Sequence, residues 1–320
     1  MASLDTLHSD VARRLGARHR RWVAVRVTAD KTEVVTEGIE PSDDVEIGSM
    51  SKPLTGQLYV EALSRGEITP ETVLADLLPL EGSSAGAITL ASLATHTSGL
   101  PRLASQTGTL AATWALWRHG INPYGADLET LIQRAALTTV GRPRPSYSNL
   151  GFMLLGHAVA AAAGTTYAAL VADRLVTPLG LADTFVPAGP DDLRPQSIVG
   201  TNSRGRSVEP WTGVDLGPAG GIRMSANDLA AFLNAVLAGT APGLAALDPV
   251  RQFGGRANRI GAGWMTLQSK TGEVTWHNGG TGGFRSIMTL DRARYRGVGI
   301  VSATSRSVDQ AGFDFIRPAS

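Results

Sequence analysis

Leu4, Leu7, Val11 and Leu15 recur at helical spacing and predict an amphipathic helix at the start of the chain. Residues 22–29 then alternate and are rich in valine, which reads as a strand. Asp30-Lys31 is a turn, and residues 32–37 form the return strand. A further short strand is expected at 44–47. From 49 to 65 the pattern is helical, and Gly66 ends it. The middle of the chain reads as helices at 89–95, 127–137, 150–163 and 167–175, the last two separated by Gly164. A further helix spans 225–237, with Ser225 as its N-cap and Asp228 three residues on. The pattern then returns to strands at 262–268, 273–277, 284–290 and 297–303, followed by a closing helix at 307–316.

Strand-rich ends around a helical middle give an α+β fold class. One antiparallel sheet is built from both termini and flanked by terminal helices, and an all-helical domain is inserted into it. The expected division is 1–75 plus 255–320 for the sheet domain and 76–254 for the insert.

Composition narrows the chemistry. The chain has 320 residues, with Lys+Arg 29 against Asp+Glu 28. A net charge of +1 gives no reason to expect a nucleic-acid partner. The absence of cysteine excludes disulfides, thiol catalysis and thiolate metal sites. His8, His19, His96, His119 and His157 show no metal-ligand spacing, and the glycine run 279–283 lacks the lysine and hydroxyl of a phosphate loop. No metal or cofactor is therefore expected. The first 21 residues lack the apolar run of a secretory signal. The longest apolar run, 151–164, is interrupted by His157 and is shorter than the roughly 20 residues of a spanning helix. No membrane span is expected, and the cytoplasm is the simplest location. Arg13, Arg14, Arg18, Arg20 and Arg21 could touch an acidic surface, but such a run more often reads as a solvated helix face.

Lysine is scarce: only Lys31, Lys52 and Lys270 occur. Lys52 stands three residues after Ser49 at the start of a predicted helix, so the two side chains share one face. A helix N-terminus also offers free N–H groups to a developing oxyanion. This Ser-x-x-Lys pattern suits acyl transfer, but an N-cap serine beside a surface lysine reads the same way. Pro53 requires the helix to begin close to Ser49. Downstream, Tyr147 and Asn149 form Tyr-x-Asn before a helix. A phenol near a lysine ammonium could take the serine proton, or Asn149 could simply cap the helix. Further on, His277-Asn278-Gly279-Gly280 ends a strand. Its glycines permit close backbone approach, and His277 could donate to a carbonyl or carboxylate; the alternative is a glycine-rich hairpin. Two strings are decoys. The run 82–86 matches a nucleophile elbow without a strand before it, and Lys270-Thr271-Gly272 falls in a turn between strands.

Ser-x-x-Lys, Tyr-x-Asn and His-x-Gly, in this order, resemble the three motifs of the class C β-lactamase-like serine hydrolases. That family includes penicillin-binding proteins, β-lactamases, esterases and acyltransferases. The segment 88–101 (ITLASLATHTSGLP) and the run Ala219-Gly220-Gly221-Ile222 also look like signature segments of the family. The resemblance implies an active site between the sheet domain and the helical insert. It implies Ser49 as acylated nucleophile, Lys52 as its proton partner and Tyr147 as general base and then acid. Asn149 would position the acyl chain. Gly280 N–H, beside that of Ser49, would bind the oxyanion, with Asn278 and Gly279 in the same substrate-binding strand. His277 replaces the family's lysine, which removes a fixed cation and leans toward a neutral small-molecule acyl substrate. The expected reaction is hydrolysis of a small ester or amide. Acyl transfer and thioester hydrolysis are alternatives, β-lactam or D-alanyl-D-alanine cleavage is less expected, and a non-catalytic binding module is the reading from another class. Segments 102–126 and 191–214 are expected to line the pocket, with Trp114, Trp117, Tyr124 and Trp211 as shaping aromatics.

Overall fold

The alternating stretches from the two ends of the chain meet in one antiparallel sheet of eight strands. The computed structural model describes residues 2–104, 121–269 and 272–317. The strands are β1 (Trp22–Val27), β2 (Thr32–Glu37), β3 (Val45–Glu46), β4 (Arg223–Met224), β5 (Arg251–Gln252), β6 (Asn258–Ile260), β7 (Met265–Ser269), β8 (Gly272–Gly280), β9 (Arg285–Asp291) and β10 (Arg296–Ser302). The large sheet runs β2-β1-β10-β9-β8-β7-β6-β5. Its seam joins the first strand to the last, with Trp22 opposite Ser302 and Val27 opposite Gly297.

β1 is valine-rich because it is buried on both faces. Trp22 and Ala24 pack with Leu7 and Val11 of α1 (Ala2–Leu15) and with Ala311 and Ile316 of α8 (Asp309–Ile316). Val23, Val25 and Val27 belong to the main core. There they meet α7 (Ala226–Ala238), which packs on β1, β2 and β10. The second face of the sheet is thus covered by a helix from within 76–254.

Three features depart from the sequence reading. The strand expected at 44–47 does not join the large sheet; β3 pairs with β4, which is too short to announce itself. The short strands β5, exposed at the sheet edge, and β6 beside it are absent from the sequence reading, because two or three residues carry no clear alternation. The first strand stops at Val27, where Thr28 N–H donates to Lys31 C=O and closes the turn.

Among the described helices, α2 (Ser51–Ser64), α3 (Leu90–Ala94), α4 (Leu128–Ala136), α5 (Asn149–Ala162) and α6 (Tyr167–Val171) match the predicted ones within a few residues. Their starts follow cap chemistry: Thr89, Asp127, Ser148, Thr166 and Ser225 each accept a backbone N–H three residues on. The cap of α5 is therefore Ser148, not Asn149, which frees the asparagine amide. α5 is apolar all round because it is a core helix, packed against α2 and the turn Gly217–Gly221. No single helix among the described residues is long and apolar enough to cross a membrane.

Candidate active site

Ser49 sits in a single 3-10 turn, Gly48–Met50, that runs directly into α2. Pro53 therefore falls in the first turn of α2, where a missing N–H costs nothing. The turn is pressed against the end of β8. Gly48 has φ +53°, and a Cβ on it would stand 2.7 Å from Gly280 N. A Cβ on Gly279 would stand 2.2 Å from Ile47 O and 3.0 Å from Ser49 N. Only glycine lets these two backbones lie together. β8 runs to Gly280 rather than stopping at His277, and this extension brings its backbone onto the serine turn.

Lys52 is fully buried at the base of the site. Its Nζ donates to Ser49 Oγ at 3.1 Å and to the carbonyl of Ala219 at 2.5 Å. No carboxylate of the described residues pairs with it. Burial, and then the charge of Arg102, push its pKa well below the ordinary lysine value. The carbonyl of Ala219 belongs to the Gly217–Gly221 turn, so the second signature segment serves as the seat of the lysine.

Tyr147 is hydrogen-bonded to Ser49, and Lys52 Nζ lies 5.0 Å from its ring centroid. Burial raises the phenol's pKa above its ordinary value; the bond to Ser49 and the nearby Arg102 lower it only in part. Burial thus outweighs the groups that would favour a phenolate. Desolvation acts in opposite directions on Lys52 and Tyr147, favouring the neutral amine and the neutral phenol.

His277 does not present a donor to the cavity. It is buried, and its Nδ1 lies 2.6 Å from the carbonyl of Asn278. A carbonyl only accepts, so Nδ1 carries the proton. Nε2 is left as an acceptor, with no partner among the described residues. Burial and Lys52 hold its pKa down to about 3. His277 is thus a neutral support for the strand end, not the carbonyl donor expected from the sequence. Asn149 is not among the residues lining the cavity: its Nδ2 donates to Tyr124 Oη at 3.4 Å, and its buried Oδ1 has no partner among the described residues.

The cavity itself has a volume of about 530 Å³ and is lined by Ser49, Tyr147, Asn278, Gly279 and Gly280. Trp211 lines it too, while Tyr124 packs edge-on against Trp211 at 4.9 Å. Trp114, Trp117, His119 and Lys270 lie outside the described residues. Two cations stand on the wall: Arg102, which opens the segment 102–126 expected to line the pocket, and Arg285, which the sequence reading did not single out. Arg102 stands 5.6 Å from the Tyr147 ring centroid, and Arg285 donates to the carbonyls of Thr281 and Phe284. The replaced lysine therefore does not leave the cavity without positive charge.

A family model, Beta-lactamase, matches residues 7–319. The chain belongs to the β-lactamase family. Its fold is that of the class C enzymes in this family: a solved class C β-lactamase superposes with a TM-score of 0.81, at 16% identity, over 99% of this chain and 98% of that one. The β-lactamase/D-alanine carboxypeptidase of Yersinia pestis, solved with citrate, gives a TM-score of 0.76 at 24% identity, over 95% of this chain and 92% of the other. Among curated family members, the D-alanyl-D-alanine-carboxypeptidase/endopeptidase AmpH of Escherichia coli K12 is 29% identical over 269 residues, which is 77% of this chain and 67% of that protein. His277, which the sequence reading sets in place of the family's lysine, is held as a buried neutral group.

Proposed function

We propose that the protein is a serine hydrolase that forms an acyl-enzyme on Ser49 and cleaves a small ester or amide. The observation that carries this reading is the bond between Ser49 Oγ and a lysine amine that burial drives toward its neutral form. As the neutral amine, Lys52 takes the Oγ proton while Oγ bonds to the acyl carbon. The backbone N–H groups of Ser49 and Gly280 face the oxyanion that develops. Tyr147, kept as a phenol, gives its proton to the leaving oxygen or nitrogen and is reprotonated from Lys52. Water then enters by the reverse sequence and releases the acid.

The wall arginines support a second reading, cleavage of a peptide that ends in a carboxylate. This is the activity named for the E. coli relative. Intact mass spectrometry after exposure to short-chain p-nitrophenyl esters and to D-alanyl-D-alanine peptides separates the two. Ser49→Ala should abolish turnover and labelling by a fluorophosphonate. Labelling that persists in this variant removes Ser49 as nucleophile.

A further inference from the structure

The arginines after the first helix do not form a solvated helix face. α1 ends at Leu15, and Arg18, Arg20 and Arg21 lie beyond it. With Arg204 and Arg306 they line a cavity of about 470 Å³. Three chain segments are stitched together to build it. Ala303 N–H donates to Arg21 C=O at 2.9 Å, Thr201 N–H to Ala303 C=O at 3.1 Å, and Ser305 N–H to Thr201 C=O at 2.9 Å. Arg306 is pinned by donation to Ser203 C=O at 2.8 Å, and Arg21 donates to Val199 C=O.

No acidic side chain lines this bay. Elsewhere the fold pairs its arginines: Arg26 with Glu33, Arg65 with Glu61, Arg174 with Glu67 and Arg292 with Asp248. None of the bay arginines is in an ion pair among the described residues. Guanidinium groups gathered around one cavity repel one another, and an anion between them relieves this. Their planar forks match phosphate oxygens two at a time.

The bay and the active-site cavity are neighbours through a third cavity that shares lining residues with each. A smaller cavity of about 290 Å³ shares Asn202, Ser203 and Arg204 with the bay, and Thr281 and Arg285 with the cavity at Ser49. It too has no acidic lining; Asp309 in the active-site cavity is the one carboxylate among the residues lining the three.

We infer that the bay binds a clustered phosphate group, such as a diphosphate, and that this group is the tail of an acyl substrate whose carbonyl reacts at Ser49. The second half rests on the proposed role of Ser49; the first half does not. A concave bay of this size suits a small polyanion better than a membrane or nucleic-acid surface.

The test uses tripolyphosphate binding by isothermal titration calorimetry. Wild type and Ser49→Ala should bind it with equal affinity, and the Arg18→Ala/Arg204→Ala pair at least tenfold more weakly. Both substituted side chains are exposed, and circular dichroism checks the fold. Equal affinity in the double variant overturns the site, as does capture of anionic vesicles or duplex DNA without tripolyphosphate binding. For the tail, acetyl-coenzyme A is compared with S-acetyl-N-acetylcysteamine, the same thioester without phosphates. Wild type should favour the phosphate-bearing thioester by tenfold or more in kcat/KM, and the double variant should lose that preference. No preference in wild type overturns the tail assignment. Turnover surviving in Ser49→Ala removes the proposed nucleophile and leaves the binding result standing.

Discussion

His96 holds Tyr147 from both sides: Ser146 N–H donates to the His96 carbonyl at 2.8 Å, and Ser148 N–H donates to His96 Nδ1 at 3.1 Å. The two rings lie 4.4 Å apart. Because Nδ1 accepts, the ring proton sits on Nε2, and burial keeps the imidazole neutral. His96 adopts φ +53°, a left-handed conformation costing on the order of 1–3 kcal/mol for a residue other than glycine. His96→Ala should lower kcat by about 10- to 100-fold, the equivalent of one buried hydrogen bond of roughly 1–3 kcal/mol. His96→Asn, which tolerates the left-handed region and retains an acceptor, should recover part of it. Steady-state kinetics decide this: a change in KM alone would show that Tyr147 is not what His96 positions.

Lys52→Arg should be as damaging as Lys52→Ala. Arginine keeps the charge but is effectively never deprotonated, so it cannot take the serine proton. A loss of about 10²–10⁴ in the acylation rate is expected of a missing general base. Rapid-mixing kinetics with a p-nitrophenyl ester measure it, and substantial activity in Lys52→Arg would count against the neutral-amine mechanism.

The acid limb of the pH–rate profile should belong to Lys52 and rise as the lysine loses its proton, well below the ordinary value of 10.5. It should not report His277, whose pKa is held at about 3. His277→Gln should therefore leave the limb where it is. Stability behaves differently. A histidine with a depressed folded-state pKa contributes fully above about 6.5, and its contribution fades as the unfolded chain takes up a proton below that value. His277 and His157, the latter held at about 4, should make the melting temperature fall from pH 6.5 downward. Thermal melts across pH 4–8 check the sign.

Gly279→Ala should inactivate the enzyme. Its Cβ would lie 2.2 Å from Ile47 O and 2.3 Å from Ser286 Oγ, so β8 must move off the serine turn. Losing one oxyanion donor costs about 10²–10³ in kcat. Wild-type kcat in this variant would show that the contact between β8 and the serine turn is not needed.

Arg223→Met should destabilise the fold by about 3–5 kcal/mol, because it strands the buried carboxylates of Asp44 and Glu46. Those groups anchor the cavity wall: Glu46 accepts from Trp211 N–H at 3.1 Å and is hydrogen-bonded to Thr281. Burial already pushes the Glu46 carboxyl up, so it takes a proton as the pH falls and the deficit should shrink in acid. Urea denaturation at pH 5 and pH 8 measures both effects.

Much of the fold is legible in the chain because strand and helix differ in period, and because caps such as Ser225 and Thr89 are local hydrogen bonds. The three motifs are legible for the same reason: Ser49 and Lys52 are neighbours on one helical turn wherever that turn is placed. Other features are properties of enclosure. That β3 pairs with β4 depends on a contact spanning most of the chain. That His277 is neutral, and that Lys52 and Tyr147 shift in opposite directions, depends on how much water the folded core removes. That Arg18, Arg204 and Arg306 share one cavity depends on stitching together segments far apart in sequence. Periodicity and motif order are local and survive in a linear string. Desolvation and convergence exist only once the chain has closed on itself, and they decide the protonation states and charges that surround Ser49.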